Sequence, residues 1–266
     1  MTIPGAGAMC GVALLQGALV AAPRGNALTS LRRLRSPAWA AVLPGCIVVG
    51  TFAPLGARSF ALGLILLAAL ATPPLAAIAL LAVVRGPRAA LIALGLAAGA
   101  LVVLAGGPSA ELSATLLTGL GAITLGAALA CLIPSRWVLA SVVCMCALDV
   151  VLLATGLGQP ASAVITGAAT HLHVPIFDHA QVGPIALDYP DLVLAAVLGG
   201  FLAGQPGQWR AAVLVSVLAG ICLALSPPNT VWPATVPVAM TLLALRTIGV
   251  PRHRQVRRLA SEPATI

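Results

Sequence analysis

The sequence contains no lysine, one tyrosine and only six acidic residues among 266. Charged side chains make up 8% of it and aromatic ones 3%, against 60% hydrophobic, and the mean hydropathy is +1.08. So little charge excludes a soluble globular chain, in which roughly a quarter of the residues are charged. The apolar runs are unbroken rather than alternating, which excludes a transmembrane barrel and leaves membrane-spanning helices. No polar stretch is long enough for a separate soluble domain. The whole chain, 1–266, therefore reads as one all-α, polytopic membrane domain.

The positive charge is all arginine, fourteen residues giving a net +8. These arginines flank apolar runs, where they set topology and meet anionic headgroups, so the bilayer is the expected partner and nucleic acid is not. The bias toward Ala, Gly, Leu and Arg suggests a bacterial plasma membrane. Cys10, Cys46, Cys131, Cys144, Cys146 and Cys222 all fall inside apolar runs without metal-ligand spacing, and are expected to be small buried hydrophobic side chains.

Nine apolar segments approach the ~20 residues needed to span a bilayer. They are 5–22, 39–53, 60–84, 89–105, 112–133, 137–157, 188–204, 211–225 and 231–250. Residues 5–136 hold the first five, 137–250 the last four, and 251–266 form a basic tail. The third segment contains Pro73-Pro74 and reads as one kinked helix or two half-spans. With nine spans, one side of the membrane receives thirteen arginines and the other only Arg58. That asymmetry predicts an external N-terminus and a cytoplasmic C-terminus. Between the sixth and seventh segments, 161–166 and 171–177 have the composition of a short surface hairpin.

The acidic residues concentrate where they are most costly. Asp149 lies inside the sixth apolar segment and Asp191 opens the seventh. A carboxylate in hydrocarbon costs several kcal/mol, so an acid there points to function. Both positions fall in the outer half of the membrane, on consecutive helices whose side chains can meet. Two close carboxyls cannot both ionise in low dielectric, so they share a proton. One can then take a proton from water while the other polarises a carbonyl, with no nucleophilic side chain, metal or cofactor.

With Leu148-Asp149 in the sixth segment, Asp188-Tyr189-Pro190-Asp191 opening the seventh and Trp232-Pro233-Ala234-Thr235 opening the ninth, the chain resembles the presenilin and signal peptide peptidase family of intramembrane aspartyl proteases. That family carries Tyr-Asp in its sixth helix, Gly-x-Gly-Asp in its seventh and Pro-Ala-Leu at its ninth. Here Leu148 stands for the Tyr, Asp188 and Pro190 for the two glycines, and Thr235 for the Leu. The resemblance implies a nine-helix presenilin-like fold with Asp149 and Asp191 as the catalytic pair. It implies substrate contacts at Pro190, Pro233, Ala234 and Thr235, and substrates that are transmembrane or signal-peptide segments. The expected orientation is that of the signal peptide peptidase branch.

Other readings of the same residues stay open. Asp188 suits a helix N-cap, with Pro190 in the first turn and Asp191 as the N3 acid of a capping box. The acids also suit a small proton-coupled transporter, or an inactive relative that binds membrane segments. His171, His173, Asp178 and His179 are weak metal ligands, since loop histidines are mostly solvated, and no metal site is assigned. The oligomeric state is not legible.

Overall fold

A computed structural model describes residues 3–23, 28–83, 108–172, 177, 179–182, 185–225 and 233–247. Nine α-helices account for most of these residues. In chain order they are α1 (Ile3–Ala21), α2 (Val42–Gly56), α3 (Arg58–Val83), α4 (Pro108–Leu132), α5 (Ser135–Thr155), α6 (Gly158–Leu172), α7 (Tyr189–Leu202), α8 (Gln208–Leu225) and α9 (Thr235–Thr247). Two short 3-10 turns, Thr29–Leu34 and Pro37–Ala41, precede α2. One antiparallel hairpin, β1 (His179–Val182) and β2 (Ile185–Asp188), precedes α7.

Among the described residues, five helical stretches are long and apolar enough to cross a membrane: Pro37–Gly56, Ser59–Leu80, Leu112–Leu132, Ser135–Thr155 and Gln208–Leu225. Three more apolar helices, Ala6–Ala21, Tyr189–Leu202 and Thr235–Thr247, are shorter. The expected fourth span, 89–105, lies outside the described residues, as does Trp232. The Pro73-Pro74 pair does not divide the third span: α3 runs through both prolines. Neighbouring helices can satisfy backbone groups that such breakers free. Beside the pair, Thr124 Oγ1 of α4 donates to the Leu75 carbonyl at 2.6 Å.

The bundle is organised around α7. Ten of its fourteen residues are buried, from Asp191 to Leu202. Its main neighbours are α4 and α1. Small residues make these approaches close, as expected where dispersion rather than water drives helix association. Gly126 of α4 lies against Ala196, and Gly200 lies against Ala127 and Ala130. Gly199 lies against the Val20 backbone of α1. The α4 and α7 pairings run in the same sense, so these two helices are parallel. At the crossing of α1 with α8, Gly17 faces Ser216 and the Ala212 carbonyl.

Arg35, Arg136 and Arg210 gather at one end of this bundle. Arg35 donates from Nε and Nη2 to the Ile133 carbonyl, at 3.2 and 3.0 Å, joining the first 3-10 turn to the end of α4. Gln208, beside Arg210, donates to the carbonyls of Val20, Ala21 and Pro23 at the end of α1. Arg136 lies in the first turn of α5, and in the second turn Ser141 Oγ donates to the Ala40 carbonyl at 2.5 Å. Exposed Trp39, Trp137 and Trp209 accompany these arginines. Amphipathic aromatic rings beside arginine form the belt expected at headgroup level.

Two expectations need correction. Residues 161–166 form no strand; they lie inside α6. Ala161, Val164, Ile165, Ala168 and Ala169 recur at helical spacing, and four of them pack with Ala61, Leu62 and Ile65 of α3. The hairpin forms later, at 179–188, tied to α4 where Thr115 Oγ1 both donates to the Gln181 carbonyl and accepts from its N–H at 3.1 Å. The cysteines are also not buried. Cys10, Cys46 and Cys144 are exposed, and Cys131, Cys146 and Cys222 partly so. In a lipid-facing bundle an apolar side chain has no reason to turn inward.

Candidate functional site: two aspartates near the start of α9

Asp149 lies fourteen residues into α5, about 21 Å along the helix from the arginine end. Asp191 lies in the first turn of α7, beside the hairpin at the opposite end. Both aspartates therefore occupy the half of the bundle remote from the arginines. Asp191 is 9% exposed, and Asp149 is partly buried.

In chain order α5 and α7 are not consecutive. Helix α6 and the hairpin intervene in sequence, and α9 is packed against both α5 and α7. Thr235, the first residue of α9, is fully buried and donates from Oγ1 to Asp149 Oδ2 at 2.7 Å. Cys146, one helical turn before Asp149, lies beside the same hydroxyl. Asp149 and Asp191 are close enough to repel each other when both are charged, and the Cys146 thiol feels both.

Asp191 takes half of a capping box. Its carboxyl accepts from the Asp188 backbone N–H, while the exposed Asp188 side chain makes no capping bond to the helix. Pro190 occupies the first turn, where its missing N–H costs nothing. Pro233 is partly buried and Ala234 buried, and Val236 N–H donates to the Pro233 carbonyl at 3.1 Å as the chain turns into α9. The structure thus gathers Asp149, Asp191 and Thr235, with Ala234 adjoining.

Two residues of this neighbourhood carried no signal that the sequence reading used. Gln16 is 1% exposed and donates from Nε2 to the Ala234 carbonyl at 2.9 Å, across 218 positions of sequence. A lone carboxamide in the first apolar run was the available clue. Cys146 sits three positions before Asp149, on the same helix face, and reads as apolar filler until its neighbours are known.

His173 and Asp178 lie outside the described residues, and His171 lies in the last turn of α6 while His179 opens β1. Among the described residues no group of three His, Cys, Asp or Glu side chains is arranged to hold a metal ion. Comparison with protein-family models, curated proteins and solved structures gave no match.

Proposed function

We propose that this chain is an intramembrane aspartyl protease of signal peptide peptidase type, with Asp149 and Asp191 as its catalytic pair. The observation that carries the reading is a partly buried carboxyl of α5, held by a hydroxyl of α9, with a buried carboxyl of α7 close enough to repel it. A bundle that only needed to be stable would not keep two mutually repelling acids among apolar helices.

The chemistry follows from a shared proton. Water gives a proton to the ionised carboxylate as its oxygen bonds to the scissile carbonyl carbon. The displaced carbonyl pair takes the proton of the neutral carboxyl, giving a gem-diol. Collapse breaks the C–N bond: the nitrogen takes the proton that came from water, and a gem-diol hydroxyl returns one to the second aspartate. Both acids regain their starting forms, and no cofactor is consumed. The substrate is a single apolar helix that unwinds locally beside the turn at Pro233 and Ala234. The arginine-rich end faces the cytoplasm, with the N-terminus outside.

Purified protein in liposomes, given a single-span peptide, should release two fragments by mass spectrometry. Asp149→Asn and Asp191→Asn should each reduce cleavage to background. Intact peptide with every variant, or full activity in either Asn variant, rejects the reading, and binding without cleavage identifies an inactive relative.

One feature favours a second reading. Exposed Asp188, buried Asp191 and Asp149 form a series of carboxyls leading from the surface inward, which suits proton-coupled transport. Proton flux into liposomes that survives without any peptide cleavage selects it.

A further inference from the structure

Thr235 does more than fill space at the start of α9. It is fully buried, its hydroxyl is 2.7 Å from Asp149 Oδ2, and no aspartate oxygen other than that of Asp149 is bonded to it among the described residues. A hydroxyl has one proton to give. Committed to Asp149, that proton favours the charged form of Asp149 over the neutral one, since charge-assisted hydrogen bonds are the stronger kind. Asp191 is the more buried of the two, and it faces both Asp149 and Asp188. The turn itself is held from the far side, where Gln16 of α1 fixes the Ala234 carbonyl at 2.9 Å.

From this geometry we infer that Thr235 is a positioning residue that holds Asp149 as the proton acceptor of the pair and leaves Asp191 to carry the shared proton. Asp149 is then the group that activates water, and Asp191 the group that protonates the substrate carbonyl. The assignment rests on the protease reading for its chemistry. The contact between Thr235 and Asp149 stands apart from that reading and is tested separately below.

Thr235→Val keeps the shape and removes the donor, and Thr235→Ser keeps the donor. With the single-span peptide as probe, Thr235→Val should lower kcat about 100-fold with KM changed less than about two-fold, and Thr235→Ser should retain most of the wild-type kcat. A raised KM at unchanged kcat makes Thr235 a substrate contact and overturns the inference, as do equal losses in both variants. Infrared spectra of protein carrying isotope-labelled aspartate give a second arm. The carboxylate band that is lost in Asp149→Asn should shift in Thr235→Val and stay in position in Thr235→Ser. Absence of that shift overturns the inference whatever the enzyme does. If wild-type protein cleaves nothing but the band shifts as stated, the protease reading fails and the hold on Asp149 stands.

Discussion

Gln16 Nε2 donates to the Ala234 carbonyl at 2.9 Å, and so ties the first helix of the chain to the turn that presents Thr235 to Asp149. The other end of the same carboxamide, Oε1, is buried with no hydrogen-bond partner among the described residues. Gln16→Leu removes the donor and the unsatisfied acceptor together, two effects of opposite sign near 1 kcal/mol each. The thermal midpoint in detergent should therefore change little, while peptide cleavage falls because Ala234 loses its anchor. Gln16→Ala also opens a cavity and should cost about 2 kcal/mol or more. A Leu variant that unfolds early yet cleaves normally would show that the link serves stability alone.

Much of the bundle is legible in the sequence because lipid imposes a simple rule: apolar runs must be helices, and arginines must sit at their ends. The runs at 112–133 and 137–157 match α4 and α5 within a few residues. Arg33, Arg35, Arg136 and Arg210 fall at one end. Helix α6 escaped because Val164, Ile165 and Thr166 are β-branched, and local preference for strand is overridden by packing on Ala61 and Ile65. The site escaped in a different way. Asp149 and Asp191 stand out as acids in hydrocarbon, but nothing local to either announces that α9 packs against both helices and holds Asp149. Hydrogen bonds spanning 86 and 218 positions leave no mark on periodicity or composition.

The close approach of α1 to α7 depends on Gly199. A Cβ there would lie 2.5 Å from the Val20 carbonyl oxygen and 2.8 Å from Val20 Cα, and backbone cannot move aside as a side chain does. Gly199→Ala should destabilise by about 1–3 kcal/mol. Gly7→Ala is the control: a Cβ there meets nothing within 4 Å, and helix preference makes the change neutral or favourable by up to about 1 kcal/mol. Thermal unfolding in one detergent separates the two, and equal midpoints would contradict the close packing.

The arginine end gives a topology that can be read by labelling. In a variant with all six cysteines replaced, Arg33→Cys should react with a membrane-impermeant maleimide only after cells are opened. Gln159→Cys, exposed beyond the end of α5, should react on intact cells. Reversal of the pattern inverts the orientation, and reaction of both from one side contradicts the arrangement of α5 across the membrane.

Asp191 separates a structural role from a catalytic one. As the N3 acid of α7 it accepts from the Asp188 N–H, a bond that an asparagine carbonyl oxygen makes equally well. As a buried acid beside Asp149 and Asp188 it brings desolvation and repulsion, both of which Asn removes. Asp191→Asn should therefore leave the thermal midpoint unchanged or raise it while abolishing cleavage, the exchange of stability for activity expected at a functional site. Asp191→Ala loses the acceptor as well and should cost about 1 kcal/mol relative to Asn. If Asp191 were no more than a helix cap, Asn would preserve both properties. An Asn variant that cleaves normally would thus reduce the carboxyl to a structural detail and remove the basis for a dyad.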